Sequence, residues 1–142
     1  MPYEEKSAWI MAGVTIITFA WYAVTVLERA GAQPLQDVPY VATLLWTIGV
    51  AIVLTIIAHI IAAAVSPKDA GKVDQRDREI SRYGEYIGQS LVVIGGVAAG
   101  ALAMMETDHF WIANVIYLSF ALSAILGSAA KIVAYRRGFR QW

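Results

Sequence analysis

Four long apolar stretches, Ala8 to Leu27, Val38 to Val65, Ile87 to Met105 and Phe110 to Ala134, occupy most of the chain. A helix rising ~1.5 Å per residue needs about 20 residues to cross a ~30 Å hydrocarbon layer, and each stretch reaches or nearly reaches that length. Lipid offers no water to backbone N–H and C=O groups, so each stretch must satisfy its own by coiling into a helix. The pattern predicts an all-α integral membrane four-helix bundle made of two helical hairpins.

With 58% of its 142 residues hydrophobic, the chain has room outside the spans only for a short N-terminus, three loops and a short tail. Residues 1–142 therefore read as one membrane domain, with a polar loop at 66–86. Formal net charge is zero, which gives no electrostatic footprint for direct nucleic-acid binding. Cysteine is absent, excluding disulfides, thiolate metal sites and thiol catalysis.

Orientation follows from the basic residues. Of the 11 lysines and arginines, only Arg29 falls on the side of the first and third loops. Lys6, the cluster Lys68, Lys72, Arg76, Arg78 and Arg82, and the terminal group Lys131, Arg136, Arg137 and Arg140 all fall on the other. Basic residues in short loops stay in the cytoplasm, so both termini are expected there and the protein in the cell (inner) membrane. Ala30-Gly31-Ala32 has the form of a signal-peptide cleavage site. The apolar run before it exceeds the usual ~7–15 residues and Glu4-Glu5-Lys6 is not a basic leader, so the first span is expected to stay uncleaved.

The entry into the second span, Asp37 to Trp46, matches in character that into the fourth, Asp108 to Tyr117, aligning Ala42 with Ala113. Two readings remain open: a parallel duplication of the hairpin, or the acidic and aromatic chemistry that membrane entries share. Trp9, Tyr40, Trp111, Tyr135 and Trp142 lie near span ends and are expected at the interface; Trp21, Tyr22 and Trp46 lie deeper and are expected between helices.

Small residues predict where helices touch. Gly84, Gly88, Gly96 and Gly100 recur in near four-residue register, and the fourth span carries Ser119, Ser123 and Gly127. Lipid tails are as apolar as leucine, so membrane helices associate by close backbone approach along such stripes. Tight packing of spans three and four is expected, and the stripe also admits a homodimer.

The loop is the most distinctive polar segment. Ser66, Pro67 and Asp69 form a helix start that Gly71 can end. Asp74 and Asp77 form a second, from which Arg76 to Tyr86 runs as one helix into the third span. The pairs Asp74–Arg78, Arg76–Glu79 and Arg82–Glu85 stand at helical spacing and contribute only ~0.2–0.5 kcal/mol each. The element Asp74-Gln-Arg-Asp-Arg-Glu-Ile80 resembles the D-x-R-D-x-x-I element that small prokaryotic four-span membrane proteins of unknown function carry before their third span. Some of those proteins look like companions of DNA-binding regulators, which the resemblance extends here as an expectation. The segment is thus either a self-compensated solvated helix or a docking surface for a cytoplasmic partner, carried by Asp74, Arg76, Asp77, Arg78 and Arg82.

His59 is the one ionisable residue clearly inside a span. It lies about one turn from the cytoplasmic boundary, at the height of Tyr86, Gln89 and Ser90, which are expected to supply its hydrogen bond. A haem held by two histidines needs a second ligand, and His109 lies across the membrane. Glu106, Asp108 and His109 are adjacent loop residues that define no coordination geometry. No metal or cofactor is expected, and no serine has a His and carboxylate beside it at depth, so no enzyme is expected. Lys131, Arg136, Arg137 and Arg140 suit anionic lipid headgroups. The chain therefore reads as a non-enzymatic membrane protein acting by interaction, with a regulatory character, through its charged loop. The alternative is a small oligomeric transporter or channel using His59 as a proton-linked site, against which stands the absence of Asp and Glu from the spans.

Overall fold

The computed structural model describes residues 3–31, 33–34, 37–65 and 75–137. They form an all-α four-helix bundle: α1 (Tyr3–Ala30), α2 (Val41–Val65), α3 (Gln75–Met104) and α4 (His109–Arg137). All four helices are long and apolar enough to cross a membrane, which makes this a multi-pass membrane protein.

Helix α1 begins well before the apolar run because Glu4 and Glu5 sit in its first turn, where carboxylates oppose the positive end of the helix dipole. It ends at Gly31, whose φ of 50° is the left-handed conformation that stops a helix. Helix α3 ends in the same way without glycine. Glu106 takes φ 56°, the Thr107 N–H donates to the Leu102 carbonyl and the Glu106 N–H to that of Ala103, both at 3.1 Å. Together these form a Schellman cap.

The 30 residues of α3 span ~45 Å, against the ~30 Å that hydrocarbon requires. The excess falls at its charged start, Gln75 to Glu85, ahead of the apolar run from Ile87.

Packing runs in the order α2, α1, α4, α3. Among the described residues the hairpins α1–α2 and α3–α4 meet chiefly along α1 and α4, and α2 and α3 occupy opposite edges with no packed face between them. A duplication about an axis along the membrane normal would map the α1–α4 contact onto an α3–α2 contact. That contact is missing, so the packing lacks the symmetry of a parallel repeat.

Contact is closest between α3 and α4. A Cβ on Gly84 would fall 2.8 Å from the Gly127 carbonyl, one on Gly127 2.9 Å from that of Gly84, and one on Gly88 2.8 Å from Ser123 Oγ. Further along, Gly95 faces Ser119 at still shorter range. Gly96 and Gly100, expected in this stripe, instead face away with nothing near them. Helical geometry explains the correction: at ~100° per residue, Gly95 lies ~20° round from Gly84, whereas Gly96 lies ~120° and Gly100 ~160°. The seam follows the steps 84, 88, 95, 99, and Ala99 is buried accordingly.

At the end carrying the α1–α2 and α3–α4 turns, Tyr22, Val26, Ala30, Val38, Tyr40 and Phe110 form the buried core. Tyr40 meets Phe110 edge-on at 5.1 Å, and Tyr22 meets Tyr117 at 5.0 Å, contacts that exceed their area in value. Tyr22 donates to Asn114 Oδ1 at 2.6 Å, and Arg29 donates to Thr43 Oγ1 at 2.5 Å. Tyr40, expected at the interface, is buried here. Trp21 and Trp46, expected between helices, are 50% and 70% exposed; α2, which carries Trp46, packs chiefly on α1 among the described residues and leaves most of its circumference open.

Candidate functional site

The opposite end gathers the polar side chains, where α1 and α3 begin and α2 and α4 finish. Three side-chain bonds there join the helices in their packing order. Between α2 and α1, Ser7 Oγ lies 2.7 Å from His59 Nε2. Between α1 and α4, Arg136 Nε donates to Glu5 Oε1 at 2.7 Å. Between α4 and α3, the Tyr135 hydroxyl donates to Asp77 Oδ1 at 2.5 Å. Each helix is thus tied to its neighbour beside the chain ends.

The expected partners of His59 are corrected. Tyr86, Gln89 and Ser90 are on α3, at the far edge from α2, and all three are exposed; the Ser90 hydroxyl donates to its own helix at Ile87 O, 2.6 Å away. Besides Ser7, His59 contacts the Thr55 carbonyl, 2.7 Å from Nδ1, and the Tyr3 ring, edge-on at 6.5 Å. A carbonyl only accepts, so Nδ1 carries a proton. A hydroxyl both donates and accepts, so Ser7 serves Nε2 in either protonation state. The ring is held between two adjacent helices.

The loop residues separate into two groups. Asp77 is 9% exposed, bonded to Tyr135, and one turn from the fully buried Ile80. It fastens α3 to α4 and is not presented for docking, which corrects its expected role. Arg76 lies exposed with its guanidinium 5.6 Å from the Tyr135 ring centroid, a cation–π contact. Arg78 and Arg82 are exposed. The pairs Arg76–Glu79 and Arg82–Glu85 do not form: Glu79 instead accepts from Gln75 at 3.1 Å and Glu85 from Ser81 at 3.4 Å. Asp74, with its pairing to Arg78, and the helix start at Ser66 to Gly71 lie outside the described residues.

The terminal basic group divides likewise. Lys131 is half-buried, its methylenes lying across Gly84; Arg136 is engaged by Glu5; Arg137 is exposed; Arg140 lies outside the described residues. Glu5, Ser7 and Thr55 escaped the sequence reading, as did the bond that Tyr135, expected only at the interface, makes to Asp77. Each pairs with a helix distant in the chain or with its own backbone, and only a carboxylate followed by an apolar run hinted at Glu5.

Among the described residues no three His, Asp or Glu side chains converge on a point a cation could occupy. Two concavities of the described residues lie on the surface of the α1–α2 hairpin. The first, ≈ 500 Å³, sits near the polar end between Ile10, Ala58 and Ala62, with Lys6 at its rim. A second, ≈ 280 Å³, lies between Trp21 and Trp46 near the aromatic end.

No protein-family model matches the chain, no curated protein matches it, and no solved structure matches it.

Proposed function

We propose that this is a non-enzymatic protein of the cell membrane, with both chain ends cytoplasmic, which binds an acidic cytoplasmic protein through the arginine-bearing start of α3. The observation behind this reading is the reach of that helix. Arg76, Arg78 and Arg82 lie on the charged turns of α3 ahead of its apolar run from Ile87, and Asp77 and Ile80 hold those turns on α4.

Neither Arg78 nor Arg82 bonds to another described side chain, so their guanidinium forks are open to carboxylates. The basic bias of this end supports the cytoplasmic assignment. The resemblance of Asp74 to Ile80 to small four-span membrane proteins, some of which look like companions of DNA-binding regulators, points to a regulatory partner. A proton path through His59 draws no comparable support, since both ring nitrogens are occupied by Ser7 and Thr55.

The test is co-purification after in-cell cross-linking, comparing the wild-type chain with an Arg78→Glu/Arg82→Glu double variant. Loss of one partner at least ten-fold, with thermal stability in detergent unchanged, is the expected result. Equal recovery from both chains would overturn the reading.

A further inference from the structure

We propose that the groove between α1 and α2 at the polar end is a binding site for one anionic phospholipid, its phosphate on Lys6 and one acyl chain along Ala58 and Ala62. Three features of the hairpin carry this.

The first is the shape of the groove. Ser7 and His59 hold α1 and α2 together on one flank. On the other, Ala58 and Ala62, one turn apart, are too small to fill the space opposite Trp9 and Ile10. What remains is ≈ 500 Å³ of open, apolar groove. From Ala58 to Val65 it runs ~10 Å along the helix, about two-thirds of the depth of one hydrocarbon leaflet. It is therefore long enough to seat the upper part of a single acyl chain and too dry for a polar ligand.

The second is the charge at its mouth. Among the described residues Lys6 is the sole charged one lining the groove. Cβ atoms tilt toward the N-terminus of a helix, so the Lys6 stem leads outward and carries its ammonium to phosphate level. The ammonium has three donors, so a bond already made within the protein leaves others for a phosphate oxygen.

The third is where the neighbouring carboxylates sit. Glu5 faces α4 and is bonded to Arg136. Glu4 lies ~200° round α1 from Lys6, on the opposite flank. Among the described residues the groove mouth is therefore basic locally although the first turn as a whole is acidic. Trp9, 48% exposed beside it, is of the type that settles at headgroup depth.

Delipidated protein titrated with phosphatidylglycerol and with phosphatidylcholine of the same chains, read by native mass spectrometry, tests this. Phosphatidylglycerol should bind about five-fold more tightly to the first site, the preference expected of one basic residue at the surface. Lys6→Gln should erase the preference; Val65→Trp, which fills the outer end of the groove at an exposed position, should weaken both lipids. Arg137→Gln should change neither. Equal affinity of the two lipids for the wild-type chain overturns the proposal. So does a preference retained in Lys6→Gln, or binding indifferent to Val65→Trp, which would indicate annular lipid only.

Discussion

Glu5 and Arg136, 131 residues apart in the chain, are joined at 2.7 Å across the α1–α4 interface between the two hairpins. The pair is lopsided: the Glu5 side chain is 6% exposed and that of Arg136 57%. Water can take up the arginine when the bond breaks, but the carboxylate stays enclosed. Removing the arginine should therefore hurt more than neutralising the acid.

Arg136→Ala is accordingly expected to cost about 2 kcal/mol, the range of a charge-assisted bond whose buried partner is left unmatched, and Glu5→Gln about 1 kcal/mol. Thermal unfolding in detergent reads both, with Arg137→Ala, exposed and outside the pair, as the comparison that should leave the midpoint unmoved. Equal effects of Arg136→Ala and Arg137→Ala would show the bond to be inconsequential.

The seam between α3 and α4 gives a sharper contrast from adjacent residues. Gly95 meets Ser119 with no space for a methyl group, while Gly96 meets nothing within 4 Å. Gly95→Ala should force the helices apart and cost about 1–3 kcal/mol, as overpacked sites do. Gly96→Ala, at a lipid-facing helical site, should stabilise by about 0.5–1 kcal/mol through its better helix propensity. Reversal of that order in denaturant titrations would displace the seam.

That contrast also marks how far the sequence was legible. Span number, helical class and hairpin order follow from apolar length, because lipid leaves a buried backbone almost no other conformation. The closeness of α3 to α4 was visible in Gly84, Gly88, Ser123 and Gly127. Gly96 and Gly100 misled because steps of four residues drift ~40° each round a helix, and only steps of three and four in alternation keep to one side.

The polar end was less legible still. Which helix faces His59 depends on whether α2 lies beside α3 or at the opposite edge, and no local pattern encodes that choice. The same ignorance made Asp77 look like a docking residue: its distance from Tyr135 is set by the α3–α4 packing, not by the charges around it in the loop.

The cap on α3 is open to improvement. Glu106 holds φ 56°, where an L side chain crowds its own carbonyl at about 1–2 kcal/mol and glycine does not. Glu106→Gly should therefore raise stability by about 1 kcal/mol in thermal unfolding, provided the Schellman bonds to Leu102 and Ala103 persist. Destabilisation would mean that the Glu106 side chain contributes a contact outweighing this strain.

His59 and Ser7 tie the end of α2 to α1, the helix on which α2 chiefly packs among the described residues. Hydrogen bonds between membrane helices average about 0.6 kcal/mol and reach about 1.7. A double-mutant cycle of Ser7→Ala and His59→Ala should give a coupling energy in that range, measured by unfolding in mixed micelles. Coupling of zero would mean the two side chains sit side by side without holding the helix.

Asp77 and Arg82 lie five residues apart on one helix and should separate stability from recognition. Asp77 is buried and accepts from Tyr135; Arg82 is exposed and touches no other described side chain. Asp77→Ala is expected to lower stability by about 1–3 kcal/mol, since it takes the acceptor from the half-buried Tyr135 hydroxyl, and Tyr135→Phe to lower it as well because it takes a donor from the buried carboxylate. Arg82→Glu should leave the melting midpoint within about 0.5 kcal/mol of the wild-type chain, as surface substitutions do, while weakening capture of the acidic partner. If Asp77→Asn, which keeps an acceptor for Tyr135, abolished capture at full stability, recognition would pass through the buried carboxylate itself, and the exposed arginines would lose their assigned role.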